Sequence, residues 1–505
     1  MSRITVDIDL NRVEGDLEFQ VDLEDGVVVD ARCVGTLYRG FEQIMIGRAP
    51  RDALVITPRV CGICGTAHLY AATLALEQIA HITPPAHAVQ VRNLCLMAET
   101  LQSDLRQSFL FFTPDFCNAN YAAHPLAAEL RDAFTPLKGS VVRGTLKATR
   151  DVLGIVALFG GQWPHSTYML PGGISQPANS RRILDSRGIL AAVRAWFEQA
   201  VIGGRLEEWM ALDSADALFR WQAAAAGRER SALGLFNRFS RDIGLHRLGR
   251  GTGHLLSYGV NPQPLGEARE LPAGFFNADT QQIETLDQSQ INEHVRHSWF
   301  LDYPGGRHPW EGETIPDHQP GSDRYTWAKA PRYGDKVVQT GPLAELRIAG
   351  EPLISDLLAR EGDNTWLRQF ARLRRAGWLI GAMSETLQAI KASMDQPHYI
   401  DPGIDIWPDG ESYGLVEAAR GGLGHWLRIR NGVIDKYQIV TPTAWNASPR
   451  DSAGRHGHWE QSIIGLPVPD PANPVDIGHI VRSHDPCLVC TVHFIGSQRK
   501  THFNV

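Results

Sequence analysis

The chain has 505 residues, a formal net charge of −7, 43% apolar and 21% charged side chains, a composition that suits a large buried core. The charge gives no electrostatic reason for a nucleic-acid partner, and no run reaches the roughly 18–20 apolar residues that span a bilayer. The start, Met1-Ser2-Arg3-Ile4-Thr5-Val6-Asp7, alternates and is acidic, unlike a secretory signal, so the expectation is a cytoplasmic protein that meets a membrane only through partners.

In chain order, residues 4–34 read as antiparallel β. Ile4, Val6 and Ile8 alternate with polar residues, as do Leu17, Phe19, Val21 and Leu23, and Asp25-Gly26 supplies a hairpin turn. Helical patterns follow at 67–82 and at 91–112, where Leu94, Met97, Ala98, Leu101 and Leu105 share one face. Further helices are predicted at 146–159, ending at Gly160-Gly161, and at 189–226 and 345–394. Residues 250–345 show no clear period and read as loop-rich. The stretch 403–440 alternates again, as a small sheet would. Active-site candidates come from both ends, so the chain reads as one helix-rich α+β unit over residues 1–505, with N-terminal β hairpins and a small C-terminal sheet.

Two cysteine pairs carry the chemistry. Arg59-Val60-Cys61-Gly62-Ile63-Cys64-Gly65 lies near the start, and Asp485-Pro486-Cys487-Leu488-Val489-Cys490-Thr491-Val492-His493 near the end. Four thiolates form a soft donor set that suits zinc, iron–sulfur or another thiophilic metal better than magnesium or calcium. A structural zinc site ordinarily draws its cysteine pairs from one compact unit, whereas Cys487 stands 423 positions after Cys64. A dithiol redox motif would leave one pair idle. Cys33, Cys95 and Cys117 are odd in number and scattered, which argues against a disulfide framework.

With these motifs the sequence resembles the large subunit of [NiFe]-hydrogenases. The matching segments lie near residues 12–15, 37–42, 59–68, 92–116, 420–426, 438–451 and 485–493. A related quinone-reductase subunit of respiratory complexes shares that fold but generally lacks the four cysteines, so retention of all four disfavours a metal-free quinone-site scaffold. The resemblance implies the [NiFe]-hydrogenase large-subunit fold and heterolytic oxidation of H2 to protons and electrons. It also implies a Ni–Fe centre with iron-bound CO and two CN ligands, and a small subunit whose Fe–S clusters receive the electrons. Nickel-insertion factors and a maturation protease are implied as well; the tail 494–505 reads as a short propeptide or a retained end. The alternative within the family is an H2 sensor that signals to a kinase.

Residue by residue, Cys61 and Cys487 resemble terminal nickel ligands, and Cys64 and Cys490 the thiolates that bridge nickel to iron. His68 resembles a hydrogen-bond donor to a bridging sulfur. Glu14, in Asn11-Arg12-Val13-Glu14-Gly15, would pass by periodicity for a solvated turn residue; the resemblance makes it the acceptor of the proton from Cys487. Arg420, in Arg420-Gly421-Gly422-Leu423-Gly424-His425-Trp426, would lie over the metal pair and donate to one cyanide. Thr443 would donate to the other, with Pro442 packed against the diatomic ligands. Glu42, the backbone carbonyl of Ile439 and His493 would hold a second metal, Mg2+.

The chain departs from the family pattern at several positions. Ser103 stands where many members carry an aspartate near the metals; Asp104 is adjacent but turned about 100° away on a helix, and Asp115 is no obvious substitute. The expectation is that the carboxylate contact to Arg420 is lost or taken by water. Asp16 replaces a common histidine. Ile63 and Phe111 are bulkier than the usual residues and would narrow a gas channel, as in the oxygen-tolerant uptake branch and the cytoplasmic H2 sensors.

Overall fold

The computed structural model describes residues 3–9, 17–263, 268–319 and 322–486. Glu14, Asp16, Cys487, Cys490, His493 and the tail 494–505 lie outside the described residues.

The N-terminal alternation forms a three-stranded antiparallel sheet of β1 (Arg3–Asp9), β2 (Leu17–Glu24) and β3 (Val27–Gly35). Asp25 (φ 50°) and Gly26 (φ 79°) both adopt the left-handed conformation, the twist a tight two-residue hairpin needs. The register sets Phe19 against Cys33 and Val21 against Ala31. All four are buried on one face with Trp459, Ile463, Ile477, Ile480 and Val481. Burying each large side chain contributes about 1.5–3 kcal/mol, so this face holds the chain's early and late segments together. Backbone bonds Val28 N to Leu466 O (3.0 Å) and Val468 N to Gly26 O (2.7 Å) add to the seam.

The principal core is helical. Gly65–Ala80 begins directly after the first cysteine pair. Ala86–Arg106 comes next and runs on as a π turn over Gln107–Phe112. Ser140–Gly160 closes at Gly161, as the glycine pair predicts. Two predicted helices are instead interrupted. The 189–226 stretch divides into Ser180–Trp196, a π turn Phe197–Ile202, Leu206–Met210, Ala215–Ala223 and Ala226–Glu229. Gly203 at φ 68° ends one piece, and the Ser214 hydroxyl caps another by accepting from Ala217 N. The 345–394 stretch is three helices, Pro342–Ile348, Pro352–Glu361 and Thr365–Ala392. Its breaks fall at Gly350 and Gly362, both with positive φ. The Glu351 side chain caps the second of these helices and Asn364 the third.

Short strands such as Leu255–Ser257, Gly274–Asn277 and Ile291–His294 stud the otherwise irregular 250–345 region. The C-terminal sheet pairs Gly410–Ala418, Gly421–Arg430 and Val433–Val440 in antiparallel order. Gly414 lets it lie on the 65–80 helix: a Cβ there would stand 1.9 Å from the Ala71 carbonyl oxygen. This close approach brings His425, opposite Gly414 in the sheet, to the helix that carries His68.

Candidate metal centre

Cys61 and Cys64 are buried, at 0% and 4% exposure, in the turn that opens the 65–80 helix. A buried thiolate needs nearby donors or positive potential, and several groups gather there. The Arg39 guanidinium donates to the Arg59 (3.3 Å) and Val60 carbonyls, clamping the approach to the pair. Glu99, from the next helix, accepts from Thr66 N (3.1 Å), Ala67 N (3.2 Å) and the Trp163 indole (3.0 Å). It thereby ties down the first turn after Cys64. Burial raises its carboxyl to about 7 against the pull of these donors.

His68 is fully buried one turn further on. Burial lowers its pKa to about 4, opposed by the Cys61 thiol and reinforced by Arg39, so the ring is neutral at pH 7 and close to Cys61. Its Nδ1 lies 3.0 Å from His425 Nε2, and His425 Nδ1 lies 2.8 Å from the Tyr437 hydroxyl. His68 Nε2 has no hydrogen-bond partner among the described residues.

Arg420 occupies the turn between the first two strands of the C-terminal sheet, where Gly421 at φ 128° allows a close approach; a Cβ there would stand 2.4 Å from Thr340 Oγ1 and 2.6 Å from Gly341 N. Arg420 does keep a carboxylate partner. Its Nε lies 3.0 Å from Asp485 Oδ1, and both groups are buried. This corrects the expectation drawn from Ser103: the acid comes from the C-terminal cysteine motif rather than from the helix. Asp104 is not turned to water either. It receives Arg375 at 2.9 and 2.6 Å, and Arg372 stands between it (3.9 Å) and Asp485 (3.7 Å). Arg375 also binds Glu345 at 2.5 Å, while burial and the neighbouring Glu345 carboxylate push Glu417 well up. Asp115 pairs with Arg482 at 2.6 Å. Pro442 and Thr443 are buried at the start of the short helix Pro442–Asn446.

Glu42 and Ile439 are neighbours, but through the Ile439 N–H, which donates to Glu42 Oε1 at 2.9 Å, rather than through its carbonyl. Thr314 donates to the same carboxylate. They line a cavity of about 90 Å³ with Lys329, Glu293 and Thr441. Lys329 Nζ reaches Glu42 (3.2 Å), Glu293 (2.8 Å) and Gln438 Oε1 (2.6 Å). The Lys329 ammonium thus already supplies a counter-charge to both carboxylates, and among the described residues no cluster of metal-ligating side chains forms here.

Of the two bulky residues, Ile63 is buried at 6% exposure. Phe111 is half-buried beneath the Arg106 guanidinium (5.9 Å). In the π turn it is Phe112 that enters the core, against Phe116, Phe236 and His479. Sequence reasoning assigned no role to Asp485, His425, Glu99 or Lys329. Asp485 and His425 sit inside two quoted motifs, whereas Glu99 lies on a helix that carries several other charged and polar residues and so does not stand out.

Buried paired cysteines at a helix start, with a histidine beside them and a buried arginine–aspartate pair nearby, offer the soft donors that a thiophilic metal takes. The profile of the nickel-dependent hydrogenases matches residues 39–134 and 238–493, and the chain belongs to that family as a large subunit. It is 31% identical to the periplasmic [NiFeSe] hydrogenase large subunit of Desulfomicrobium baculatum, over 98% of this chain and 96% of that one. The uptake hydrogenase large subunit of Rhodobacter capsulatus is 28% identical, with coverage of 98% and 96%. Among solved structures, the [NiFeSe] hydrogenase of Dm. baculatum superposes with a TM-score of 0.82 at 30% identity, over 97% of this chain and all of that one. The Ni–Fe–Se hydrogenase of D. vulgaris Hildenborough gives 0.81 at 30% identity, with 97% and 100% covered. The helix-rich α+β fold is thus that of hydrogenase large subunits, and the chain is an oxidoreductase that acts on H2.

Proposed function

We propose that this chain is the catalytic subunit of an uptake-type [NiFe] hydrogenase. The buried Cys61–Cys64 turn, with His68 beside it and Arg420 held by Asp485, carries the reading. Cys61, Cys64, Cys487 and Cys490 would hold a Ni–Fe(CO)(CN)2 centre, which when bound supplies the site of heterolytic H2 cleavage. The chain's own residues then do the remaining work. Cys487 takes up the proton and Glu14 removes it. Arg420 and Thr443 would donate hydrogen bonds to the cyanides of the bound centre, and Pro442 would keep water from them. Glu42, Ile439 and His493 would hold Mg2+ and tie the two ends of the fold together. Electrons leave to a small subunit bearing Fe–S clusters, in keeping with relatives that are named large subunits. Among the described residues no helix is long and apolar enough to cross a membrane. The compartment follows the small subunit; fractionation decides between the cytoplasm expected from the sequence and the periplasm named for the D. baculatum relative.

The purified complex is expected to contain about one nickel per chain, with iron-bound CO and CN bands in the infrared; zinc alone, without those bands, overturns the reading. Cys61→Ser and Cys487→Ser should each abolish H2 oxidation, because a hydroxyl is a harder and poorer ligand for these metals. Glu14→Gln should keep the bands yet lose most H2/D2 exchange, since an amide preserves shape but cannot relay a proton. Near-normal exchange in that variant would send the proton by another route.

A further inference from the structure

The His68–His425–Tyr437 chain has a direction. Three side chains from the 65–80 helix and two strands of the C-terminal sheet are each almost wholly buried and are joined by contacts of 3.0 and 2.8 Å. Each contact has a single proton to share, so only two arrangements leave both hydrogen bonds intact. In one, Tyr437 donates to His425 Nδ1, His425 Nε2–H donates to His68 Nδ1, and His68 carries its proton on Nε2. In the other, every donor is reversed and His68 Nε2 presents a lone pair.

Two independent costs decide between them. His425 Nδ1 is the only hydrogen-bond partner of the Tyr437 hydroxyl among the described residues. The reversed arrangement would leave the phenol's own proton buried without an acceptor, a loss of about 1–3 kcal/mol. It would also leave the unpartnered Nε2 as a lone pair on a ring that feels the charge of Cys61, where like partial charges repel. With one proton on each ring, no third arrangement keeps both contacts.

Resting on the hydrogenase reading above, we propose that Tyr437 and His425 are positioning residues which fix the tautomer of His68, so that its Nε2–H is held ready to donate to a cysteine thiolate of the metal centre. They act through the ring of His68, which carries the effect to sulfur. A hydrogen bond withdraws electron density from a thiolate, so removing the bias enriches the metals and strengthens their back-donation to CO.

Infrared spectra of the purified heterodimer test this, with nickel content measured alongside. Wild type must show the CO and CN bands; their absence would end the hydrogenase reading rather than this one. Tyr437→Phe and His425→Leu are expected to retain nickel and to move the CO band to lower wavenumber. His425→Gln, whose amide can still donate to His68 Nδ1, should restore it toward wild type. Unshifted bands in both the Phe and Leu variants overturn the proposal. Neutron diffraction on the wild-type protein reads the same quantity without any substitution, so a variant that fails to load metal does not leave the question open. A proton on His68 Nε2 supports the assignment, and one on Nδ1 refutes it.

Discussion

At the scale of single residues, two buried carboxylates adjoin the cysteine motifs: Glu99 holds the turn after Cys64, and Asp485 opens the second motif. Asp485 faces Arg420 at 3.0 Å and Arg372 at 3.7 Å. Asp485→Asn preserves shape but removes the carboxylate that pairs with Arg420 and one of the two that flank Arg372, and breaking a buried pair in this way costs about 3–5 kcal/mol. A clear drop in thermal midpoint together with reduced H2 oxidation is expected; a variant indistinguishable from wild type would mean that Arg420 finds its charge elsewhere. Glu99 yields a prediction in pH. Its folded pKa of about 7 lies above the ordinary value of 4.5, so the folded state favours the protonated form. That stabilisation is complete below about pH 4.5 and is lost as pH rises through 7. Glu99→Gln does not titrate. Its thermal midpoint relative to wild type should therefore climb between pH 5 and pH 8, and a flat difference would show that Glu99 ionises alike in both states.

At the scale of elements, the Thr365–Ala392 helix spaces Arg368, Arg372 and Arg375 so that they share a face. That face meets Asp363, Asp485 and Asp104. Arg375→Met should destabilise the fold by about 3–5 kcal/mol, measured by denaturant unfolding, because Asp104 and Glu345 lose the guanidinium between them. The Gln107–Phe112 π turn bears on gas access. With Phe111 half-exposed under Arg106, Ile63→Val should raise the rate of O2 inactivation while Phe111→Leu alone leaves it unchanged. An effect of the second and not the first would reverse this assignment. The sequence reveals these elements unevenly. The period of the 65–80 and 86–106 helices is plain, and so is the cysteine turn that precedes them. The breaks at Gly203 and Gly350 are not, since glycine inside an apolar-periodic run is often tolerated. The partner of Arg420 was out of reach for another reason: Asp485 lies 65 residues away, and only the packing of the Val475–Ser483 helix sets it there.

At the scale of the whole molecule, the remaining cysteines lie in separate surroundings. Cys33 is in the hairpin core, Cys95 in the helical core, and Cys117 contacts the Leu130 carbonyl at 3.7 Å. Dye reduction by H2 should therefore require the Fe–S small subunit; an active chain isolated from any iron–sulfur partner would sink that expectation. The resemblance made the family legible from two short motifs. The charge network was not legible, because each of its members is an ordinary polar residue until the fold buries it.

The seam between the N-terminal hairpin and the late helices also sets a timetable for synthesis. Some 440 residues separate Phe19 from Trp459, so at about 5–20 residues per second the hairpin waits on the order of 20–90 s for the partners of its apolar face. Until then Phe19, Val21 and Leu23 lie open on the nascent chain, an invitation to chaperones. Ribosome-bound chains halted at residue 455 should be cut by protease within the hairpin, and the released full-length chain should resist. On the proposed ligand set, Cys61 and Cys64 would be joined by Cys487 and Cys490 only when translation is nearly over, and metal loading would belong to the finished polypeptide.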